Sequence, residues 1–300
     1  MRRRTKLLAI VAMSLLACDM QPNPQRQAAV VVYATYADEA YWSGFFSGFT
    51  EETGIPVSIR HGDATALVDD VIANRGLPPA DVLLTASVAD IWRAADKGAL
   101  RPIQSPRLAS LSKSLQDEDG LWAAVNYRLT VIVAASQTGN PRPADYPDLA
   151  SPRFRGHVCL LSSRLSISRS LLAMLIAELG AKPAELIVRG WVQNLALPPF
   201  ATQQKLMAAI RSGKCPYGIL SESILDSDVH TIVPEPAYFD IEGAGIARHA
   251  RYPESAQRLV DWMLARKPAS TDTGVIGRNI GLAGWHDEDA QLLAERAGYE

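Results

Sequence analysis

The residue with the clearest chemistry in this sequence is Cys18, whose thiol ends a stretch with the parts of a bacterial export signal. Four cations within the first six residues precede an apolar run, residues 7–16, which is too short to cross a hydrocarbon core of ~30 Å as a helix. Leu15-Leu16-Ala17-Cys18 resembles the lipobox, in which the signal is cut before a cysteine that becomes diacylated. We therefore expect residues 1–17 to be a cleaved signal peptide and Cys18 to be the lipidation site. The alternative is a cleaved secretory signal with an incidental cysteine.

The residues that follow Cys18 have the composition of a tether. Residues 18–28 are polar, contain two prolines and lack the period of a helix or a strand, so they predict a lipidated, flexible linker. A thioether-linked diacylglycerol together with an N-acyl chain meets the condition for stable membrane attachment. Asp19 resembles the signal that retains lipoproteins in the inner membrane of Gram-negative cells. We therefore expect a periplasmic protein anchored to the inner membrane by its N-terminal lipid.

Cys159 and Cys215 remain as an even pair once Cys18 is lipidated. The expected compartment is oxidising, and both cysteines lie in or beside predicted strands. A disulfide between neighbouring strands and two separate buried thiols are both compatible with the sequence.

Composition excludes some partners. Roughly 270 residues remain for the folded part, enough for one large or two medium domains. Loss of the four signal-peptide cations changes the balance of 30 basic and 32 acidic residues to 26 and 32. A mildly acidic protein without blocks of like charge is not expected to bind nucleic acid. The sequence has no second hydrophobic stretch near membrane-spanning length.

Strands alternate with helices along the chain, which predicts an α/β fold with a mainly parallel sheet covered on both faces. The first alternation comprises strands Val30–Thr35, Pro56–Arg60 and Ala80–Thr85 and helices Tyr41–Gly54, Thr65–Asn74 and Val88–Lys97. After extended segments Trp122–Tyr127 and Thr130–Ala135, a second alternation comprises strands His157–Leu161 and Tyr217–Leu220 and helices Ser166–Leu179, Pro183–Leu195 and Thr202–Ser212. Two consecutive α/β units suggest two lobes. Helices Pro253–Ala265 and Asp287–Ala297 are expected in the last part of the chain.

No catalytic motif is present. The sequence lacks a Gly-x-Ser-x-Gly elbow, a His-Glu-x-x-His motif and a glycine-rich phosphate loop, and its five histidines are scattered. We expect a non-enzyme without a cofactor and predict no catalytic residue.

Several segments resemble one protein family, and they occur in the family's order. The segments are Val31–Thr35 with Phe49–Val57, Pro79–Thr85, Phe154–Val158, and Ile241–Ala250 with Pro253–Leu264. For example, Phe49–Val57 is similar to the motif F-x-x-E-T-G-I-x-V that leads into the second strand. The chain thus resembles a periplasmic substrate-binding protein of an ABC importer, in the two-lobed, ferric-ion-binding-protein-like (type II) subgroup.

The resemblance implies the domain organisation. It implies a two-lobed periplasmic-binding-protein fold, in which each lobe is a mixed, mainly parallel sheet flanked by helices and two crossover strands form the hinge. The ligand would bind in the inter-lobe cleft at the carboxyl ends of the strands. Residues 29–128 and 232–275 would form lobe 1 and residues 129–231 lobe 2, with the C-terminal helix of residues 276–300 packed on lobe 2. The crossovers are expected near Tyr127–Val131 and Val229–Val233.

The usual iron ligands of the subgroup are absent from the matching positions. Ser221-Glu222 stands where relatives have paired tyrosines, Tyr36-Ala37-Asp38 includes no histidine after the first strand, and Thr85-Ala86-Ser87 includes no glutamate after the third. Loss of the paired phenolates removes most of the charge that offsets Fe³⁺. Simple ferric binding is therefore not expected, and no metal site is assigned. Substitute oxygen ligands are an alternative, with Tyr36, Asp38, Tyr127 and Glu222 as weak candidates.

Hydroxyl groups and guanidinium groups remain at the positions that line the cleft in the family. Arg128 matches an arginine that faces an anion in relatives, and Ser162-Ser163-Arg164 precedes a helix, so these groups could bind an oxyanion. Helix capping, surface salt bridges or wall aromatics are alternative roles. The predicted ligand-binding residues are Tyr36, Asp38, Thr85, Ser87, Tyr127, Arg128, Ser162, Ser163, Arg164, Ser221 and Glu222.

The function implied is that of an extracytoplasmic solute-binding lipoprotein. We expect it to capture an anion, or a metal with an anion, and to deliver it as a monomer to an ABC permease and ATPase complex in the inner membrane. The alternatives are ferric binding through substitute oxygen ligands and a ligand-sensing lipoprotein that works with a membrane signalling protein.

Overall fold

A curled, mixed β-sheet flanked by helices forms the frame of the protein. The computed structural model describes residues 29–35, 39–135, 139, 141–225, 228–235, 237–266 and 279–300. The strands are β1 Val30–Ala34, β2 Val57–His61, β3 Val82–Thr85, β4 Leu100–Arg101, β5 Trp122–Ala135, β6 Val158–Cys159, β7 Tyr217–Ser221, β8 Val229–Ile232 and β9 Tyr238–Ala247. The helices are α1 Glu39–Thr53, α2 Ala64–Ala73, α3 Val88–Asp96, α4 Ser166–Leu179, α5 Ala181–Gln193, α6 Gln203–Arg211, α7 Pro253–Ala265, α8 Gly281–Trp285 and α9 Asp287–Ala297.

The sheet has the order β2-β1-β3-β9-β5-β7-β6, with β4 beside β9 and β8 beside β5. Strands β1, β2 and β3 are parallel to one another, and β6 is parallel to β7. Between these two parallel parts, β9 is antiparallel to both β3 and β5, and β5 is antiparallel to β7. The α/β architecture is the one that the alternating segments predicted, but the sheet is mixed and not mainly parallel, because the long strands β5 and β9 run antiparallel to their neighbours.

The parallel strands are apolar because helices cover both of their faces. Every residue of β1 and β3 is buried, and their sequences are Val-Val-Val-Tyr-Ala and Val-Leu-Leu-Thr. Strand β2 is at the edge of the sheet and alternates partly buried with exposed residues. Helix α3 begins after Ser87, whose hydroxyl accepts a hydrogen bond from the Ala89 N–H at 3.2 Å.

Two long strands cross the middle of the sheet. The sequence predicted one of them as two separate segments and did not predict the other as a strand. The extended segments predicted on either side of Arg128 are one strand, β5, which pairs with β9 as far as Thr130 and with β7 from Thr130 onward. Strand β9 begins at Tyr238, and the glycines within it obscure the sequence pattern of a strand. Gly243 is required because a Cβ at this position would lie 2.7 Å from a methyl carbon of Ile91.

The chain passes from one half of the sheet to the other within β5. It returns later than residues 229–233, because β8 pairs only with residues 132–135 of β5 and the return is made at the start of β9. Helix α9 packs against α4 and α5, and α8 packs against α3 and α4. The assignment of residue ranges to two lobes stays a prediction.

A disulfide joins Cys159 in β6 to Cys215, just before the neighbouring strand β7. The structure therefore contains the bonded alternative that the sequence left open. Both cysteines are fully buried. Among the described residues, the helices are too short or too polar to span a membrane. Cys18, the signal peptide and the tether lie outside the described residues.

Candidate functional site

A cavity of about 620 Å³ opens at the carboxyl ends of β1, β3 and β7. We call it the cleft. Its floor is formed by residues of the two long strands β5 and β9, and its walls include the first turns of α4 and α6. It is lined by Thr35, Ala86, Arg128, Thr130, Leu165, Ser166, Ile167, Ala201, Thr202, Gln203, Gln204, Ser221, Ser223, Ile224 and Asp240.

Arg128 extends from β5 into the cleft and is held by two hydrogen bonds. Its Nη1 donates to Glu242 Oε1 at 3.0 Å, and its Nη2 donates to the carbonyl oxygen of Ala86 at 2.9 Å. Burial raises the pKa of Glu242, and the Arg128 guanidinium opposes that rise. Glu242 therefore offsets part of the positive charge of Arg128, and the remaining guanidinium N–H groups can donate to a ligand.

Asp240 connects the two helices on either side of the cleft floor. Its Oδ1 accepts hydrogen bonds from the N–H groups of Val88 at 3.0 Å and Ile241 at 2.8 Å, and its Oδ2 accepts one from Ser170 Oγ at 2.9 Å. Val88 is the first residue of α3, and Ser170 lies in α4. Burial raises the pKa of Asp240, while these hydrogen bonds oppose the rise.

Thr130 contributes a hydroxyl to the lining of the cleft. Its side chain faces the cleft because Thr130 is two residues from Arg128 on the same strand and both residues line the cavity. Thr130 is 3% exposed overall, and its hydroxyl is not among the fully buried polar atoms that lack a partner in the described residues. A hydroxyl on a cavity wall can donate a hydrogen bond to a ligand or to water there.

Two helix N-termini face the same space. Leu165, the N-cap residue of α4, provides no side-chain cap, and Ser166 and Ile167 of the first turn line the cleft. At α6, the Thr202 hydroxyl caps the Lys205 N–H, and Gln203 also lines the cleft. First-turn N–H groups lack acceptors within their own helix and carry partial positive charge, so they favour an anion.

Two of the predicted ligand-binding residues line the cleft. These are Arg128 and Ser221. Ser221 is the last residue of β7, its N–H donates to Gln203 Oε1 at 2.9 Å, and its hydroxyl lies 2.8 Å from that of Ser223. Tyr36 and Asp38 lie outside the described residues.

Other predicted residues have structural contacts instead. Thr85 Oγ1 donates to the Ser87 carbonyl oxygen at 2.8 Å, and both residues are buried at the start of α3. Tyr127 points to the opposite face of β5 from Arg128, and its ring lies 6.2 Å from that of Phe239. Glu222 is exposed and accepts a hydrogen bond from the Leu129 N–H at 3.0 Å, which ties the end of β7 to β5.

The Ser162-Ser163-Arg164 segment turns away from the cleft. The Ser162 hydroxyl accepts a hydrogen bond from the Arg164 N–H at 3.3 Å, as a capping interaction would. Ser163 and Arg164 line a second cavity of about 470 Å³, which also borders the end of α9. The part of this loop that does line the cleft begins at the next residue, Leu165.

Sequence reasoning did not identify most of the cleft-lining side chains. A signal existed for Asp240, which is a single acid within the apolar run Tyr238-Phe-Asp-Ile241, and for Thr202, which precedes a helix as a capping residue. The remaining polar residues that were missed are Thr35, Thr130, Ser166, Gln203, Gln204 and Ser223.

The described part of the chain contains no group of three or more His, Cys, Asp or Glu side chains placed to hold a metal ion. Of the four weak metal candidates, Tyr127 and Glu222 have the contacts given above. They do not line the cleft together with Arg128.

Comparison with known proteins places these features in context. The family model of the bacterial extracellular solute-binding proteins matches residues 45–270. Iron uptake protein A1 of Synechocystis sp. is 26% identical over 292 residues, which cover 87% of this chain and 80% of that protein. A Salmonella typhi periplasmic protein named for binding 2-aminoethylphosphonate is 23% identical over 214 residues, or 70% of this chain and 62% of that protein.

The fold is shared with solved structures. The structure of Trichodesmium FutA in complex with iron and citrate superposes with a TM-score of 0.79 at 23% identity, covering 91% of this chain and all of that one. At this level of identity the similarity establishes a common two-lobed fold.

Proposed function

Because this chain belongs to the family of bacterial extracellular solute-binding proteins, we propose that it captures a small anion, or a metal ion accompanied by an anion, in the cleft at the ends of its strands. Members of the family deliver such ligands to ABC importers and are not enzymes. The single observation that carries the choice of ligand is the convergence of Arg128, the Thr130 hydroxyl and the first turns of α4 and α6 on one cavity.

The donors in the cleft match the oxygens of a carboxylate, phosphate or phosphonate. Guanidinium N–H groups, a hydroxyl and helix N-terminal N–H groups all donate hydrogen bonds, and such bonds to a charged acceptor are stronger than neutral ones. The positive charge of Arg128 is partly offset by Glu242, which is 3.0 Å away. Recognition should therefore depend on directed hydrogen bonds more than on net positive charge, and affinity should fall only modestly with added salt.

A metal with an escorting anion is the second form of this proposal. The Synechocystis relative is named as an iron uptake protein, and the Trichodesmium structure contains iron with citrate. An anion such as citrate supplies oxygen ligands itself, so the protein would need fewer of its own. Ferric binding through Tyr36, Asp38, Tyr127 and Glu222 is less favoured, because Tyr127 faces away from Arg128 and Glu222 is bonded to the Leu129 N–H.

The partner and the location complete the proposal. We place the protein outside the cytoplasm, tethered through lipidated Cys18 to the inner membrane, where a monomer would present its ligand to a permease and ATPase complex. A sensor role beside a membrane signalling protein would use the same cleft. Import is favoured because the Synechocystis relative is named for uptake.

The decisive experiment is direct ligand identification. Native mass spectrometry and metal analysis of protein purified from its own periplasm should reveal a bound anion with or without iron. Calorimetric titration of the ligand-free protein with 2-aminoethylphosphonate, inorganic phosphate, citrate and ferric citrate would then measure each affinity. Stoichiometric iron without any anion, or binding unaffected by Arg128→Gln, would contradict the anion-based cleft.

A further inference from the structure

The loop between β6 and α4 supplies one wall of the cleft, and the segment of residues 287–300 contacts its other side. We define the β6–α4 loop as residues 161–165. Leu165 and the next two residues line the cleft, whereas Ser163 and Arg164 face the cavity of about 470 Å³ that borders α9. The loop therefore has open space on both sides and needs specific contacts to keep one conformation.

Backbone hydrogen bonds hold the middle and the end of the β6–α4 loop. The Ser162 N–H donates to the Phe200 carbonyl oxygen at 2.8 Å, the Leu165 N–H donates to that of Ser162 at 3.1 Å, and the Leu165 carbonyl oxygen accepts from the N–H groups of Ser168 and Arg169. Two further bonds come from groups anchored by the C-terminal segment. Arg169 Nη1 donates to the Arg164 carbonyl oxygen at 2.8 Å while its Nε donates to Asp287 Oδ1, at the start of α9.

Tyr299, the penultimate residue of the chain, makes the other contact. Its hydroxyl donates to the Leu161 carbonyl oxygen at 2.5 Å and lies 3.4 Å from Ser168 Oγ in the first turn of α4. The side chain is buried, and burial raises the pKa of the phenol, so the hydroxyl stays protonated and able to donate.

The end of α9 is built to aim this side chain inward. Gly298 has a φ of +71°, a left-handed conformation that glycine adopts without strain. The chain turns there, and the Tyr299 N–H bonds to the Ala294 carbonyl oxygen at 2.9 Å. The turn directs Tyr299 towards Leu161.

We propose that Tyr299 is a positioning residue for ligand binding, which holds the β6–α4 loop so that the first turn of α4 faces the cleft in its ligand-binding geometry. The proposal rests on the cleft's being the ligand site. Tyr299 itself does not touch the cleft; it acts through Leu161 and Ser168.

The test compares Tyr299→Phe with Tyr238→Phe. Tyr238 is a matched control because its hydroxyl also bonds within the structure, to Glu178 Oε2 at 2.6 Å, near the opposite end of the same helix α4. Both variants lose a buried phenolic hydroxyl and its hydrogen bonding, so both should show a similar, small loss of global stability. Only Tyr299→Phe should loosen the loop.

Hydrogen–deuterium exchange of the ligand-free protein measures how often the amides of the β6–α4 loop open to solvent. Tyr299→Phe should exchange the amides of residues 162–168 about tenfold faster, whereas Tyr238→Phe should leave them unchanged. The unmodified protein and Tyr299→Phe are each titrated with 2-aminoethylphosphonate and with ferric citrate. For the probe that the unmodified protein binds, the dissociation constant of Tyr299→Phe should be about tenfold higher. Deletion of residues 299–300 should reproduce both effects.

The two hypotheses fail in different ways. Unchanged exchange in residues 162–168 for Tyr299→Phe and for the deletion would overturn the positioning role whatever the ligand is. Faster exchange with unaltered affinity would also overturn it, since the loop would then not shape the site. If the unmodified protein bound neither probe, the proposed ligand class would be contradicted, while the exchange comparison would still decide whether Tyr299 holds the loop.

Discussion

Replacing Thr130 with valine should weaken ligand binding while leaving the free energy of unfolding nearly unchanged. Thr130 is 3% exposed overall and lines the cleft, and its hydroxyl is not among the fully buried atoms that lack a hydrogen-bond partner in the described residues. Valine has nearly the same shape, so the change removes the hydroxyl without leaving a hole. Because water in the cleft can satisfy the hydroxyl, we expect the free energy of unfolding to change by less than about 0.5 kcal/mol.

The expected loss of binding follows from the same hydroxyl. A hydrogen bond to a charged acceptor contributes about 1.5–3 kcal/mol, which corresponds to a loss of about tenfold or more in affinity. Thr85→Val is the control for a hydroxyl that is hydrogen-bonded within the protein. The Thr85 hydroxyl donates to the Ser87 carbonyl oxygen at 2.8 Å in a buried setting, so its removal should lower the free energy of unfolding by about 1 kcal/mol.

Urea unfolding at pH 7 and calorimetric titration with 2-aminoethylphosphonate and ferric citrate measure the two quantities on the same samples. Thr130→Ser, which keeps the hydroxyl, should retain most of the affinity. The reasoning is refuted if Thr130→Val is destabilised as much as Thr85→Val, since the hydroxyl would then have a partner within the protein. Unaltered affinity in Thr130→Val would equally refute a role for this hydroxyl in binding.

Three further outcomes are expected. Cys18→Ser should shift the protein from the membrane fraction to the soluble periplasmic fraction and abolish incorporation of labelled palmitate; continued labelling would contradict the assigned lipidation site. Replacing Cys159 and Cys215 by serine removes the disulfide, which joins residues 56 positions apart, and should lower the free energy of unfolding by about 4 kcal/mol. Denaturant titration measures this change, and an unchanged unfolding midpoint would contradict it. Burial, with a smaller contribution from Asp240, raises the pKa of Asp90 from 3.8 to about 6, and the positive charge of Arg169 opposes this rise. The folded protein therefore holds the Asp90 proton up to a higher pH than the unfolded protein does. As pH rises from about 4 through 6, the Asp90 carboxyl increasingly destabilises the folded state. Asp90→Asn should therefore be more stable than the parent by up to about 3 kcal/mol at pH 7, with the difference shrinking towards pH 4; a difference independent of pH would contradict this.

Local sequence patterns predicted most elements of the fold. Helices α3, α4, α7 and α9 begin within a residue of their predicted starts, because apolar periodicity, Ser87 as a cap and Pro253 at a helix start are all local signals. Strand β9 was not predicted as a strand. Its glycines make sense only once α3 packs against it, since Gly243 leaves room for Ile91.

Fewer residues of the candidate site than elements of the fold could be predicted from the sequence. Arg128 and Ser221 were found because the family's pattern names their positions. Tyr127 was proposed beside Arg128, yet neighbouring residues of a strand point to opposite faces, and the pairing of β5 with β9 decides which of the two faces the cleft. Thr130 was missed because the sequence does not show which face of β5 is turned towards the cleft.

The sequence by itself determined an α/β protein with two cysteines able to pair, because strand and helix signals depend on residues close together in the chain. Its solute-binding type followed from the resemblance of several segments to that family. Only the tertiary structure decided which polar groups meet. The cleft joins Thr35, Thr130, Gln203 and Asp240 from segments far apart in the chain, and a loop conformation turned Ser163 and Arg164 away from it. Such meetings depend on strand register and on packing across the sheet, which pair residues more than a hundred positions apart, and no local pattern encodes them.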